Sequence, residues 1–465
     1  MKIVGFNNES IEGDTMWDAS CVIENLVPVS RDTKGEVWRR LVDAGVFTGL
    51  TFAVLNFGTI LTRNDDVHMA QDEAEAHGQF LPSAWSIPME IMLNASSLCG
   101  NTATATEKKM IADLRPQWGD MMRRLWSQPM YSLLPNENRA AERGMAAHLA
   151  MRLTVLDPSF LSELAKPSDL TLTVCFRNWM HATSSLDIAV NSTLICSFLD
   201  EQHVPRYWKS YLASHPLPSL RHLIPRIVRG ATVYYVEHGP RERKRNPQQA
   251  AEAIVGAFVS HLSTVAHSTE PSDLNSELSF FRALLLPSKT DYRALSKAVA
   301  ESTTVWPALV QAMRRAHQLE AEHAYWTGLQ IFFGILHPLD TQGEFADVVI
   351  AHWARSGFFE LLEESADFLL EVTAGPMTLS FILGVIQEFI SRLGADTCLL
   401  LRQHFRFPNL SAKLVPSTQP TARQQMAFMR GSGDTGRPRA DDPMWRYVAS
   451  EGLVKLTEDV ERLQG

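Results

Sequence analysis

The stretch DVVIAHWARSGFFELLEESADFLLEV, residues 347–372, decides how the rest of the chain is read. Val348, Val349, Ile350 and Trp353 recur at helical spacing before a single glycine, and Phe358, Phe359, Leu361, Leu362, Phe368 and Leu369 do so after it. That is the 3.6-residue period of one apolar face on each of two helices. Gly357 between them can take positive φ without a Cβ penalty, so it ends one helix and turns the chain into the next.

The same phrase stands near the start of the chain. Leu41-Val42-Asp43-Ala44-Gly45-Val46-Phe47-Thr48-Gly49-Leu50 aligns with Trp353-Ala354-Arg355-Ser356-Gly357-Phe358-Phe359-Glu360-Leu361-Leu362. A weaker echo, Val299, Ser302, Val305, Trp306 and Leu309, has serine in the glycine's place. Recurrence of a helix-break-helix phrase marks a repeat in which each pair buries its apolar face against its neighbours. The expected fold class is all-α, an armadillo/HEAT-like helical-repeat solenoid. The competing reading is an irregular helical domain with two similar turns.

A chain of 465 residues is long for one compact core, a limit that the extended core of a solenoid avoids. Its 45% hydrophobic and 20% charged residues place it among globular chains. The formal net charge of −9 argues against a general phosphate-binding surface, so nucleic acid is not an expected partner. Cys21, Cys99, Cys175, Cys196 and Cys398 are scattered and form no Cys-x-x-Cys, which gives neither a zinc finger nor a thioredoxin-like site and suits free thiols in a reducing compartment. Residues 1–9 lack the apolar core of a signal peptide. The expected localisation is therefore intracellular, cytoplasmic or nuclear. The most membrane-like run, Val46 to Leu61, is short of a span and carries Thr48, Thr51, Asn56 and Thr59. It reads as a buried helix, and no membrane partner is expected.

In chain order, residues 1–34 read as a polar tail with at most one short ordered element, and residues 35–407 as the helical-repeat domain. Residues 408–441, rich in Pro, Ser, Thr, Gly and Arg, read as a flexible linker except for 424–429. Residues 442–465 read as a C-terminal helix, capped by Asp442-Pro443, that docks or stays free. Ile224 to Val236 is rich in β-branched and aromatic residues, yet it is assigned as helix because no partner strand is evident. The basic run Arg241 to Arg245 is assigned to a solvated loop, with a nuclear localisation element or an acidic-partner contact as the competing reading.

Motifs that could carry chemistry lack their context. Gly431-Ser432-Gly433-Asp434-Thr435-Gly436 spells a dinucleotide fingerprint, but no apolar strand feeds it and Arg437-Pro438-Arg439 follows. Asp434-Thr435-Gly436 has no second copy to pair carboxylates as an aspartic protease does. Glu320 and His323 form one metal half-site, and a di-metal bundle needs a second; an exposed charged helix face is the expected alternative. Trp38, Trp306 and Trp353 sit at core positions rather than along a peptide groove. No residue is assigned a catalytic, cofactor-binding or metal role, and no cofactor is expected.

Four phrases remain: Asp157-Pro158-Ser159-Phe160-Leu161, Ile254-Val255-Gly256 through His261-Leu262, Val305 to Ala312, and Ser356 to Leu362. On these, from about Glu36 to Leu400, the chain resembles the long helical region of a large fungal family whose members usually end in a MYND zinc finger. Such a finger needs clustered cysteines with a histidine, and no cysteine follows Cys398. The family's zinc-dependent partner binding is therefore not carried over. The resemblance implies an interaction role rather than a reaction. The expected function is a protein–protein interaction scaffold without catalytic activity, its partner a protein or peptide. The alternative is an all-helical enzyme with an unrecognised pocket, which would need His and carboxylate groups converging in a deep polar cavity.

Overall fold

The computed structural model describes residues 13–61, 83, 85–96, 103–133, 139–200, 203–216, 231–236, 239–268, 270–285, 293–339, 345–371, 375–414, 420–421, 424–426, 428 and 444–462. These residues are helical apart from turns and one two-stranded hairpin. The expected single domain over 35–407 is divided: Met1–Arg245 and Asn246–Gly465 form separate compact units.

The first unit contains α1 (Gly13–Arg31), α2 (Glu36–Asp43), α3 (Val46–Leu61), α4 (Ser86–Ala95), α5 (Ala105–Leu114), α6 (Trp118–Ser127), α7 (Ala140–Leu156), α8 (Leu161–Leu164), α9 (Thr171–Met180), α10 (Ser185–Leu199) and α11 (Arg206–Ser214), then β1 (Val233–Val236) and β2 (Gly239–Lys244). α1 packs on α4, α4 on α7, and α7 on α10, with α9 against both α7 and α10. The expected tail over 1–34 is thereby corrected, because residues 13–31 are a helix. Polar contacts hold it: Asn94 Nδ2 donates to Ser30 Oγ (3.1 Å), and Arg31 pairs with Glu90 (3.3 Å). Its Ile23, Leu26 and Val27 are only half-buried, so it shows little of the apolar periodicity that marks a core helix.

The apolar run from Thr106 to Ser127 is two helices, because Pro116 lies in a 3-10 turn, Arg115–Gln117, between them. α5 opens with a capping box in which Thr104 N–H donates to Glu107 Oε2 (2.7 Å) and Glu107 N–H to Thr104 Oγ1 (3.2 Å). The helix expected over Ile224 to Val236 is corrected at 233–236, while 231–232 are helical and 224–230 lie outside the described residues. Val233 pairs with Lys244, Tyr234 with Arg243 and Tyr235 with Glu242 in an antiparallel ladder, and a bulge precedes the Val236–Gly239 pair. The partner strand is the basic run itself. Its charges read as a loop and hid the pairing that the β-branched propensity of 233–236 required.

The second unit contains α12 (Pro247–Val265), α13 (Pro271–Leu285), α14 (Arg293–Glu301), α15 (Val305–Gln318), α16 (Glu322–Leu339), α17 (Ala346–Ser356), α18 (Phe358–Glu364), α19 (Ala366–Glu371), α20 (Gly375–Phe389), α21 (Ala395–His404), α22 (Pro408–Leu414) and α23 (Met444–Arg462). The α17–α18 joint is the organising phrase, and Gly357 there has φ 79° and ψ 26°. Gly45, its counterpart between α2 and α3, has φ 83°. The corresponding pairs Val42 and Ala354, Val46 and Phe358, Phe47 and Phe359, and Leu50 and Leu362 are all buried. In the weaker echo Ser302 Oγ accepts from the N–H groups of Thr304 (3.3 Å) and Val305 (3.2 Å), a side-chain cap in place of a left-handed glycine.

Trp306, Phe332, Trp353 and Phe358 pack together, Phe332 and Phe358 stacked with centroids 4.0 Å apart. The expected linker over 408–441 begins too early, since Pro408–Leu414 is a helix with Leu410 and Leu414 buried. Thr421 and Gln424 exchange capping hydrogen bonds and Phe428 is buried; residues 415–419, 422–423, 427 and 429–441 lie outside the described residues. α23 packs against α20, α21 and α22. No helix among the described residues is long and apolar enough to cross a membrane.

Candidate functional site

In the first unit a surface cavity of about 310 Å3 opens between the start of α6 and the chain around 163–169. Its floor follows from the break at Pro116. Leaving α5, the chain presents Arg115 to the Asp157-Pro158-Ser159-Phe160 turn. Arg115 Nη2 donates to Asp157 Oδ2 (2.6 Å) and Ser159 Oγ (2.8 Å), and Nη1 lies 3.7 Å from Glu163. The Asp157 carboxylate also accepts from Ser159 N–H (2.9 Å), so one side chain caps the turn and holds the arginine. The guanidinium lies 5.3 Å from the centre of the buried Phe160 ring, within cation–π range. Trp118 meets Phe160 edge-on at 5.3 Å and donates its Nε1–H to Thr171 Oγ1 (2.9 Å).

The rim carries Asp120, Arg123, Lys166, Ser168 and Asp169. Arg123 pairs with Asp120, and Lys166 with Glu163. Asp169 Oδ1 accepts from Thr171 N–H (2.9 Å). Three cations, Arg115, Arg123 and Lys166, and three carboxylates, Asp120, Glu163 and Asp169, thus line the cavity together with Pro116, Gly119 and the buried Trp118. Among the described residues the lining contains no histidine or cysteine. A ligand seated there would meet charged groups of both signs, the three cations among them already paired within the chain.

Deeper in the same unit lies a buried polar network. Arg143, on the alanine-rich α7, donates to Asp187 Oδ2 (2.5 Å), Thr183 Oγ1 (2.5 Å) and the Ser132 carbonyl (3.2 Å). Arg139 pairs with Glu142 (3.2 Å), which accepts from Ser83 N–H (2.8 Å) and Oγ (2.7 Å). Arg177 donates to the carbonyls of Leu125 (2.7 Å) and Trp126 (2.6 Å) and covers the Trp126 ring. His181 follows α9, and burial together with Arg177, Arg245 and Arg143 lowers its pKa to about 4. A buried pair of this kind spends much of its attraction on its own desolvation, so removing one partner costs more than the pair contributes. The Ser184-x-x-Asp187 capping box was the one sign of this network in the sequence. The identity of its arginine partner was not.

No family model matches the chain, and neither a curated protein nor a solved structure does.

The motifs singled out in the sequence do not assemble. Glu320 has φ 52° and stands in the turn before α16, so it does not share a helix face with His323, in contrast to the expected charged face. Among the described residues no three His, Cys, Asp or Glu side chains converge as a metal site would require. The Gly431–Gly436 motif lies outside the described residues. The buried Trp38, Trp306 and Trp353 belong to the core. His261 and Glu277, both buried, meet at 3.0 Å between α12 and α13. The large apolar residues Phe160, Leu161, Ile254, Val255, Val305, Trp306, Leu309 and Val310 in the phrases behind the fungal resemblance are buried.

Proposed function

We propose that the chain is a scaffold for a protein or peptide partner, built on the stacked helices of an armadillo/HEAT-like repeat. The observation that carries this reading is the row α1, α4, α7 and α10, in which each helix packs on the next. In such a row each element covers its apolar face with its neighbours; α7 and α10 are exposed only at Ala141 and Leu186, so the surface for a partner comes from the helices beside the row. The cavity at Arg115 adds a recognition element of mixed charge on that unit, suited to a peptide carrying acidic and basic side chains. Charges on such a rim select partners and speed encounter more than they raise affinity. The resemblance to the helical region of the fungal MYND-finger family points the same way without its zinc.

The test is capture from native lysate on the tagged full-length chain, read by mass spectrometry beside an Arg123→Glu/Lys166→Glu double variant. α22 and α23 pack within the second unit, so ending the bait before them would expose buried leucines. A partner recovered by the parent chain and lost or reduced at least fivefold with the variant is expected. If the folded chain retains nothing while a small molecule raises its Tm, the all-helical enzyme reading replaces this one.

A further inference from the structure

α17 packs on α21, and two ties show that the helices run in the same direction. At their starts Asp347 Oδ1 accepts from the Gly394 N–H (2.7 Å), and beyond the end of α17 Glu360 meets His404 Nδ1 at the end of α21 (2.6 Å). Between these ties a stripe of each helix faces out. On α17 it is Val348, His352 and Arg355, with spacings of four and three; on α21 and the turn after it, Leu399, Arg402 and Arg406, with spacings of three and four. Both stripes begin with an apolar side chain and end with arginine. Val348 is 38% and Leu399 51% exposed, whereas Val349, Ile350, Trp353 and Leu401 on the other sides of these helices are buried.

The formal net charge of the chain is −9, yet these arginines are left without a carboxylate. Among the described residues the side chains of Arg355, Arg402 and Arg406 make no ion pair and no hydrogen bond, and Arg402 Nε is enclosed without an acceptor. α18 follows α17 directly, but all three of its acids are committed: Glu360 to His404, Glu363 to the N–H groups that open α22, and Glu364 to Arg314. The uncompensated charge acts on its neighbour, since burial and then Arg355 hold His352 below the ordinary histidine range. Arginine in a last turn complements a helix dipole, which accounts for Arg355 and Arg402 taken singly. It does not account for Arg406, which lies beyond the helix, or for the two exposed apolar side chains on the same stripes. We propose that this face of α17 and α21 docks an acidic protein segment whose apolar side chains cover Val348 and Leu399 and whose carboxylates meet Arg355, Arg402 and Arg406. Arginine offers a carboxylate a planar fork of donors, and such pairs set partner choice and encounter rate. A phosphate backbone would satisfy the arginines and offer nothing to the apolar ends of the stripes, so a polypeptide fits the face better than a nucleic acid. The proposal rests on the scaffold reading and adds to it a second surface, on the second unit, with the chemistry of its partner.

The experiment selects a random peptide display library on the folded full-length chain and measures the enriched sequences, made as fluorescein-labelled peptides, by anisotropy. They should be net negative, with leucine, isoleucine or phenylalanine beside aspartate or glutamate. Their Kd should weaken at least tenfold on the Arg355→Glu/Arg402→Glu/Arg406→Glu variant, where attraction becomes repulsion, at least threefold on Leu399→Ser, and less than threefold on the corresponding triple lysine variant. If the glutamate variant loses helical circular dichroism, Leu399→Ser, which alters one exposed side chain, carries the test. The proposal is overturned if no acidic sequence is enriched, if the peptides bind the substituted chains as tightly as the parent, or if a random single-stranded oligonucleotide displaces them, which would make the face a phosphate site. Acidic peptides without any lysate partner would remove the scaffold reading and leave this face; lysate capture without acidic peptides would remove this face alone.

Discussion

Gly357 and Gly45 are the glycines with positive φ among the described residues, at 79° and 83°, and both stand in the phrase from which the helix pair is read. Their surroundings leave room for a side chain. A Cβ at Gly357 would lie 3.6 Å from Arg314 Nη2 and 3.7 Å from Glu360 Oε2, and one at Gly45 would lie 4.0 Å from Thr48 Oγ1. The cost of a substitution is therefore conformational. Gly357→Ala and Gly45→Ala should each cost about 1–2 kcal/mol, and Gly357→Asn distinctly less, because Asn tolerates the left-handed region. Urea unfolding midpoints measure this, and an alanine as stable as glycine would show that the turn does not need positive φ. At this scale the sequence is readable where a residue's role is local. Gly357 and the Asp157 cap act on neighbours within two or three positions. Arg115 and Arg143 could not be read, because their carboxylate partners lie 42 and 44 positions away.

α22 shows the same limit for a whole element. Glu363 in α18 accepts from the N–H groups of Asn409 (2.6 Å) and Leu410 (3.1 Å), so the cap of this seven-residue helix comes from a side chain 46 positions earlier. Without that partner, Pro408 and Ser411 look like linker composition, which is why the expected boundary at 408 fails. Three more acids of α18 and α19 are paired. Glu360 meets His404 (2.6 Å), Glu364 meets Arg314 (3.1 Å) and Asp367 meets Lys413 (2.5 Å). Their charged face is an interface with α15, α21 and α22. Glu363→Ala should destabilise the chain by about 1 kcal/mol, the usual worth of an N-terminal cap, and should speed amide exchange over 408–414 before other helices of the second unit. Unchanged exchange there would mean that packing of Leu410 and Leu414 alone orders the helix. The hairpin teaches the complementary lesson: strand propensity at 233–236 was visible, but its partner lay in a run whose charge pointed elsewhere.

For the whole molecule, the all-helical character was legible from periodicity, whereas the division at Arg245 and Asn246 was not. Nothing marks that boundary except the start of a helix, where Asn246 Oδ1 accepts from Gln249 N–H (2.8 Å). Each unit has its own core, so unfolding need not be two-state. His181 gives a probe confined to the first. Its pKa near 4 lies below the ordinary histidine value of 6.5 because of burial and then Arg177, Arg245 and Arg143, which all belong to that unit. As pH falls below 6.5 the unfolded chain takes the proton first, so stability is lost between pH 6.5 and 4, by on the order of 3 kcal/mol when complete. Above 6.5 the histidine is neutral in both states and contributes no slope. Urea unfolding followed by circular dichroism should give two transitions. His181→Gln should raise the midpoint of one relative to the parent at pH 4.5, with no such gain at pH 7.5, and Trp353→Phe should lower only the other. A single transition shifted by both substitutions would show that the two units unfold as one, and the boundary at 245 would then describe packing without independent stability.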